Sequence, residues 1–263
     1  MCDKAVCPAG NWVQGARPER AHEPFFGHEL AGEDALVTGA GSGIGRSVAV
    51  ALSTLGMHLL LVGRHMDRLH TVARGIQDQG GGATPVSADL GTEAGRASVV
   101  AAVGPRLRVL VHCAGAYLSE PVGPGSALEW AALDSVNLHA PVLLTLACRP
   151  SLRAASGNVV FVNSTAGLRA GASLAYSAGK HGLRAAADSL RQDLNVDGVR
   201  VTSVFPGRTD TPMQQSILSQ EGRVVPPGVL LTPHDVAQVI VSALVLPISA
   251  EVTEITIRPS KPV

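Results

Sequence analysis

From Asp34 onward, short apolar runs alternate with longer amphipathic segments, and this alternation limits the possible folds more than any other feature of the sequence. The runs are continuous and rich in Val, Leu and Ile, as expected for strands buried on both faces. Strands that alternate with helices indicate right-handed crossovers, so we predict an α/β fold with a doubly wound parallel sheet of about seven strands. The predicted strands are 35–37, 58–62, 84–86, 107–111, 158–162, 199–204 and 253–257, and the predicted helices are 44–55, 66–79, 93–103, 128–148, 174–196 and 233–246.

Length and composition favour one packed domain and exclude several classes of partner. Compact α/β domains of roughly 250 residues are common, so we predict a single domain over 32–263. Residues 1–31 contain Gly and Pro without a sustained apolar period, and we predict a flexible N-terminal extension there. Lys plus Arg and Asp plus Glu each number 21, with no basic stripe, which argues against a nucleic-acid partner.

Cysteine usage and the longest apolar stretches bear on compartment and membrane. The four cysteines form no Cys-x-x-Cys pair and the nine histidines show no zinc spacing, so we expect no metal site. Sparse cysteines fit a reduced, cytoplasmic protein. The apolar stretches near 97–115 and 236–248 are interrupted by proline and by charged or polar residues, so we expect no membrane partner.

A glycine-rich turn follows the first predicted strand and opens the first predicted helix. Glycines let the backbone approach a ligand that a Cβ would repel, and the free N–H groups at a helix start favour a pyrophosphate. The phosphate loop of kinases needs Lys followed by Ser or Thr, whereas Arg46-Ser47 follows here. An ordinary glycine-rich turn is the alternative interpretation. The predicted dinucleotide site comprises Thr38, Gly39, Gly41, Ser42, Gly43, Ile44 and Gly45.

The end of the second predicted strand bears on the choice of cofactor. Gly63 stands where a site for NAD needs a carboxylate for the ribose 2′-hydroxyl, and Arg64 follows it. A guanidinium suits a 2′-phosphate through paired charge-assisted hydrogen bonds, so we predict NADP (NADPH) and disfavour NAD. Arg64 as a solvated loop residue is the alternative. Asp89 and Leu90, which follow the third strand, are predicted beside the adenine.

Ser164, Tyr176 and Lys180 form a candidate proton-transfer site. Tyr176 and Lys180 are four residues apart in a predicted helix, so both side chains project from one face. We expect the ammonium to lower the pKa of the phenol from about 10 toward neutral pH. Ser164 ends an apolar strand, and its hydroxyl can donate to a substrate carbonyl. A Tyr-x-x-x-Lys pair alone is most often a surface pair, but with the glycine turn it predicts hydride transfer to or from a carbonyl.

Together these motifs resemble the short-chain dehydrogenase/reductase family over about residues 33–258. The resemblance implies a Rossmann fold, a homodimer or homotetramer, and catalytic roles for Ser164, Tyr176 and Lys180. It implies that Asn137 supports a water relay to the lysine. The further cofactor contacts that it implies are Ala114, Gly115, Tyr176, Lys180, Pro206, Gly207, Thr209 and Thr211.

The sequence departs from the family pattern at three places. His112-Cys113 stands where the family usually has Asn-Asn, so the asparagine hydrogen bonds must be replaced. Cys113 is interpreted as a small strand residue, with a nucleophile as the alternative. The spacing from Ser164 to Tyr176 is one residue shorter than in most members, and the ending 253–259 looks more like the branch of NADP-dependent 3-hydroxy acid and serine dehydrogenases than like ketoacyl reductases.

The polar segment 208–230 is predicted to be a loop that closes over a substrate. Tyr117, Leu118, Phe205 and Met213 are candidate wall residues, with ordinary packing as the alternative.

Three functions stay open from the residues alone. The first is an NADP-dependent dehydrogenase or reductase of a small carbonyl or alcohol substrate. The second is a 3-oxoacyl reductase acting on acyl-carrier-protein or CoA thioesters, for which Arg169, Arg184 and Arg208 are candidate basic residues. The third is a non-catalytic nucleotide sensor, which the retained Tyr176 and Lys180 disfavour.

Overall fold

The computed structural model describes residues 30–118, 126–171 and 173–261, in which seven parallel strands form one sheet. The strands are β1 (Asp34–Thr38), β2 (His58–Gly63), β3 (Gly82–Ser87), β4 (Val109–His112), β5 (Asn158–Val162), β6 (Arg200–Pro206) and β7 (Glu254–Ile257). The helices are α1 (Gly43–Thr54), α2 (Met66–Gln77), α3 (Glu93–Ala102), α4 (Ala127–Asp134), α5 (Ala140–Ala155), α6 (Leu174–Asn195), α7 (Pro212–Gln220) and α8 (Pro233–Leu244). The sheet order is β3-β2-β1-β4-β5-β6-β7, which confirms the predicted doubly wound fold.

The sheet separates two hydrophobic cores, as β1 illustrates. Ala35 and Val37 pack with α1, α2 and α8, whereas Leu36 packs with α3, α5 and α6. Successive side chains of a strand point to opposite faces, so a strand covered on both sides must be apolar throughout. The strand order reverses between β1 and β4, and the carboxyl ends of these strands flank the crevice where such sheets bind ligands.

The packed structure begins slightly earlier than the sequence predicts. Leu30, assigned to the extension, is 1% exposed and belongs to the core that α1 covers. Gly32 donates its backbone N–H to the carbonyl oxygen of Gly56 at 2.9 Å. Burial of a leucine side chain stabilises this start by about 2 kcal/mol. The rest of the predicted extension, residues 1–29, lies outside the described residues.

The helix predicted over 128–148 is divided. A π-helical turn at Ser135–His139 separates α4 from α5, and α5 continues to Ala155. Such wide turns are frequent at functional sites, and this one contains Asn137.

The prediction that 208–230 is a loop throughout is wrong, because it contains α7. Thr211 caps this helix by accepting the backbone N–H of Gln214, and Pro212 occupies its first turn. Thr followed by Pro is a helix-start signal. The polar composition concealed it, since in this segment α7 buries only Gln214 and Leu218.

The helical segment Ala127–Ala155, which comprises α4, the π-helical turn and α5, has an apolar outer face. Its length, and a mean hydropathy of 1.3 over an 18-residue window, would suffice to cross a membrane, although a helix packed on a sheet passes the same test. Leu144 and Cys148 pack it against the sheet. On the other face, Leu128 is 84% exposed, and Leu143 and Leu146 are each 45% exposed.

Candidate active site

The glycine turn lies at the reversal of strand order, between the end of β1 and the start of α1. Gly39 has a φ of 66°, and a Cβ there would lie 2.8 Å from the backbone nitrogen of Ala114. A Cβ at Gly45 would clash with the carbonyl oxygen of Gly39. Backbone therefore packs directly on backbone, and Gly41 and Ser42 lead into the start of α1, which forms a cradle whose free N–H groups suit a phosphate.

Thr38 joins the two strands that flank this cradle. Its Oγ1 accepts hydrogen bonds from the backbone N–H groups of Cys113 and Ala114, both at 3.1 Å. The chain after β4 is thus held against the end of β1. A Cβ at Gly115 would lie 3.2 Å from Asn137 Oδ1. The structure therefore brings Thr38, Ala114 and Gly115 together with the glycine turn.

The ends of β2 and β3 form the predicted adenine side. Arg64 is exposed, and within the described ranges no hydrogen bond or ion pair engages its guanidinium. Asp89 is also exposed, whereas Leu90 is buried in the core, so Asp89 alone of that pair offers an exposed polar group. Arg68 belongs to none of the predicted sites, yet its Cβ lies 3.2 Å from where a Gly41 side chain would begin. Its place in the first turn of α2 was the available signal.

Ser164 and Tyr176 line one cleft of about 670 Å³ at the carboxyl ends of β5 and β6. Ser164 follows β5, and its Oγ accepts the backbone N–H of Ala166 at 3.1 Å. Tyr176 lies in the first turn of α6, which Ser173 caps. The ring of Tyr117 meets that of Tyr176 edge-on, with centroids 5.0 Å apart. Rigid elements thus present both hydroxyls to a common space.

Lys180 is buried one turn after Tyr176, with its Nζ 5.8 Å from the centre of the tyrosine ring. The Nζ donates a hydrogen bond to the carbonyl oxygen of Val162 at 3.3 Å. Burial lowers the pKa of Lys180 to about 8.

Burial also raises the pKa of Tyr176 to about 12, although the Ser164 side chain acts to lower it through hydrogen bonding. The predicted lowering of the Tyr176 pKa by Lys180 is therefore wrong for the chain by itself. Desolvation of the phenolate is the largest effect on this pKa.

Asn163, which the sequence analysis missed, connects two parts of the site. Its Oδ1 accepts the backbone N–H of Ser164 at 2.9 Å, and its Nδ2 donates to the carbonyl oxygen of Lys180 at 3.1 Å. This amide fixes the end of β5 against α6. Its position directly before Ser164 was the available signal.

Asn137 holds the chain beyond β4. Its amide donates to the carbonyl oxygen of Ala116 and accepts the N–H of the same residue, each at 2.9 Å. Asn137 is 1% exposed, and in the described residues both of its side-chain polar atoms are used in this way. It therefore acts as a positioning residue, and the water relay to Lys180 stays a prediction.

His112 and Cys113 both have structural roles here. The His112 ring stacks on Phe161 with centroids 5.0 Å apart, and its Nε2 lies 2.8 Å from Thr145 Oγ1. Burial lowers the pKa of His112 to about 3, so the ring is neutral. Burial raises the pKa of the Cys113 thiol to about 12 despite the opposing effect of Lys180, which favours the interpretation as a small strand residue over a nucleophile.

The chain after β6, which the sequence predicts to contact the cofactor, lines the cleft. The cleft lining includes Pro206, Gly207, Thr209 and Thr211 of this segment, together with Ile44 of α1. In the described residues, no cluster of three or more His, Cys, Asp or Glu could hold a metal ion.

The predicted wall residues divide into two groups. Tyr117 and Met213 line the cleft. Leu118 is outside its described lining, and Phe205 is fully buried beneath the Arg184 guanidinium, which lies 5.7 Å from the ring centre. Phe205 as a wall residue is therefore wrong, because its position on β6 turns the ring away from the cleft and under α6.

A glycine cradle at the strand reversal and a Ser164–Tyr176–Lys180 group beside it define a dinucleotide-binding class of fold. The family model described as short chain dehydrogenase matches residues 33–222. An uncharacterized oxidoreductase of Staphylococcus saprophyticus is 32% identical over 237 residues, which cover 88% of this chain and 99% of the relative.

Two solved structures have the same fold. A metagenomic short-chain oxidoreductase in complex with NADP is 31% identical, with a TM-score of 0.76 and coverage of 89% of this chain and 100% of the other. An alcohol dehydrogenase of Thermococcus sibiricus, complexed with 5-hydroxy-NADP, is 25% identical, with a TM-score of 0.79 and coverage of 88% and 98%. The chain belongs to the short-chain dehydrogenase family and is an oxidoreductase of that family.

Proposed function

We propose that this oxidoreductase interconverts a hydroxyl and a carbonyl on a small substrate, with NADP(H) as cofactor and Tyr176 as general acid and base. The observation that carries this proposal is the shared cleft of about 670 Å³ into which β5 and α6 present Ser164 and Tyr176. A carbonyl oxygen between two hydroxyls can receive a hydrogen bond from one and a proton from the other.

The residues divide the chemistry as follows. The cofactor, when bound, supplies or accepts the hydride. Ser164 donates a hydrogen bond to the substrate oxygen as negative charge develops on it. Tyr176 gives its proton to that oxygen during reduction and takes it back during oxidation. Lys180 supplies positive charge behind the phenol, while Asn163 and Asn137 hold these groups in place.

The cradle fits a nicotinamide dinucleotide because added Cβ atoms at Gly41 and Gly43 would crowd Arg68 and Thr211, and because the turn leads directly into the N-terminus of α1, where free N–H groups favour a pyrophosphate. Arg64, exposed at the end of β2, supports NADPH over NADH. Its guanidinium can form paired hydrogen bonds with a 2′-phosphate. The NADP in the metagenomic structure and the 5-hydroxy-NADP in the Thermococcus structure support the same proposal.

The decisive experiment is Tyr176→Phe, which keeps the ring and removes the transferable proton. We expect kcat to fall by at least about 1000-fold while the Kd for NADPH changes less than about threefold. Tyr117→Phe is the matched variant, because it removes the neighbouring phenol hydroxyl, and it should lower kcat by less than about tenfold. Turnover by Tyr176→Phe at the wild-type rate would refute the mechanism.

The substrate class is tested with NADPH and NADH against free oxo acids, aldehydes, ketones and 3-oxoacyl thioesters. Turnover of a free small carbonyl compound supports the first candidate function. Exclusive turnover of thioesters would favour the 3-oxoacyl reductase, for which Arg169 in the cleft lining is the supporting observation. Turnover of any member excludes the non-catalytic sensor.

We also propose a cytoplasmic homodimer or homotetramer in which a second copy covers the outer face of α4–α5 and the start of α6. Leu128 and Leu174 are exposed there, at 84% and 63%. On α6, Gly182 lies against Leu138 of its own chain, whereas Ala185 is exposed. Size-exclusion chromatography with light scattering tests this proposal, and Leu143→Glu should shift the protein toward a monomer.

A further inference from the structure

The cleft that contains Ser164 and Tyr176 is more positive than the protein as a whole. Three arginines line it, Arg169, Arg208 and Arg258, against one carboxylate, Glu221. The complete chain, in contrast, has 21 basic and 21 acidic residues and no formal net charge. The excess of cations is therefore local to the active site.

One of these arginines is already neutralised. Arg208 Nη2 donates to Glu221 Oε1 at 2.9 Å, and Arg223 lies 3.5 Å from the other oxygen of that carboxylate. Hydrogen bonding from Arg208 lowers the pKa of Glu221, so the carboxylate stays ionised at neutral pH. Arg184, a basic candidate from sequence, forms a pair with Glu254 at 2.9 Å and lies outside the lining of the cleft.

Arg169 and Arg258 are the two arginines of the cleft lining whose side chains have no carboxylate partner among the described residues. In the described part of the chain, neither guanidinium makes a hydrogen bond or an ion pair, and both residues are exposed. Arg169 follows Ser164 by five residues, at the end of the turn that leads to α6. Arg258 directly follows β7 and reaches the same cleft as Thr256, because alternate residues of a strand share a face.

Resting on the proposed function, we propose that the substrate is a small anion, an oxo or hydroxy carboxylate, whose carboxylate is bound by Arg258 and Arg169. Guanidinium groups bind carboxylates through paired charge-assisted hydrogen bonds, which fix orientation as well as charge. The carboxylate then lies toward β7 and the Ser164–Arg169 turn, and the carbonyl carbon lies at Ser164 and Tyr176. Arg258 and Arg169 determine specificity, while the proton transfer stays with Tyr176.

The phosphates of the cofactor do not account for these two arginines. The pyrophosphate cradle is at the start of α1, and Arg64 lies at the end of β2, whereas Arg258 follows β7 at the opposite edge of the sheet. The cradle and Arg64 already provide groups for those phosphates. Loss of Arg258 or Arg169 should consequently leave the Kd for NADPH unchanged.

The test pairs each of several 2-oxo and 3-oxo acids with its uncharged methyl ester, using the full chain and NADPH. Arg258→Gln and Arg169→Gln should each lower kcat/KM for the acids about 10- to 100-fold, mainly through KM, and change the esters less than about threefold. Arg153→Gln is the matched control. Arg153 lies in the last turn of α5, which precedes the amino end of β5. The cleft is at the carboxyl end of β5, so this arginine is remote from it.

A second measurement is independent of turnover. Titration of the NADP-loaded protein with butanoate and with butanamide should show binding of the carboxylate that both arginine substitutions weaken at least tenfold. If nothing is turned over but butanoate binds in this manner, the anion site stands and the proposed reaction fails. If compounds are turned over but acids and esters respond equally to the substitutions, the anion site is overturned and the reaction stands.

Discussion

The two halves of the crevice are built in different ways. On the cofactor half, between β1 and β4, backbone packs against backbone at Gly39, Gly45 and Ala114. On the substrate half, between β5, β7 and α7, side chains such as Met213 and Arg258 form the wall. A backbone contact leaves no room for an added carbon, whereas a wall of side chains can change shape through single substitutions.

This difference separates the chemistry that the family shares from the specificity of one member. We expect the glycine turn of the cofactor half to bind the pyrophosphate common to every dinucleotide, and its geometry is set by a short, contiguous motif. The substrate half takes its lining from segments more than 100 residues apart, such as Tyr117 and Arg258. Substitutions in the first half should therefore affect folding and cofactor binding, and those in the second should affect the substrate alone.

The largest effect is expected from Gly45→Ala. The new Cβ meets the carbonyl oxygen of Gly39, and neither backbone segment can move without opening the turn. We expect a loss of about 3 kcal/mol or more in the free energy of unfolding, together with loss of NADPH binding. Urea denaturation and fluorescence titration with NADPH measure both.

Gly75→Ala is the control for that substitution. Gly75 is exposed in α2 with nothing within 4 Å of an added Cβ, so alanine should stabilise the helix by about 0.5–1 kcal/mol. Equal destabilisation by both substitutions would show that the turn has no special constraint.

Tyr176 connects the two halves, and its titration should respond to the cofactor. Burial sets its pKa at about 12 in the chain alone, above the ordinary value of 10. The positive charge of oxidised nicotinamide favours the phenolate, so bound NADP should lower this pKa by about 2 units. Ultraviolet titration of the tyrosinate, with Tyr176→Phe as the blank, measures the shift.

The same titration predicts opposite pH profiles for the two directions. Oxidation of an alcohol needs the phenolate in the complex with NADP, so its rate should rise as pH passes the lowered pKa. Carbonyl reduction needs the phenol in the complex with NADPH, whose ring is uncharged, so its rate should fall only at higher pH, toward the pKa of about 12. Profiles with the same slope in both directions would contradict the role of Tyr176.

An intermediate effect is expected from Arg64→Gln on the cofactor half. Loss of the guanidinium should raise the Kd for NADPH about 10- to 100-fold and leave the Kd for NADH within threefold, because only NADPH carries the 2′-phosphate. Arg74→Gln, a loss of positive charge further along α2, is the matched control. An equal loss for both cofactors would assign Arg64 a structural role instead.

The smallest catalytic effect is expected from Met213→Ala on the substrate half. Met213 is half-buried on α7 and lines the cleft, so its removal widens the space for substrate without touching the cradle. We expect kcat/KM for a small substrate to fall about 3- to 30-fold, with the Kd for NADPH and the unfolding free energy nearly constant. A marked rise in the Kd for NADPH would contradict the separation of the cofactor half from the substrate half.

Features that leave a local pattern in the sequence could be predicted, whereas features that depend on burial could not. The strands were predictable because parallel strands buried on both faces are continuous apolar runs, as β5 shows. The helix α7 was missed because its Thr211-Pro212 start signal precedes a polar segment that buries little apolar surface. The raised pKa of Tyr176 was missed because the sequence shows the neighbouring Lys180 but not the burial that dominates.

The amino-acid pattern alone was enough to predict the doubly wound sheet, the glycine turn, and Ser164, Tyr176 and Lys180 as a group near the ends of β5 and α6. These features depend on local patterns, namely strand hydrophobicity, glycine spacing and helical periodicity. No local pattern predicts that Arg258 lines the same cleft as Tyr176, that Arg184 pairs with Glu254, or that Phe205 is buried; the packed fold establishes all three. The reason is physical: which distant side chains meet depends on strand order and packing, and neither is encoded in a local spacing.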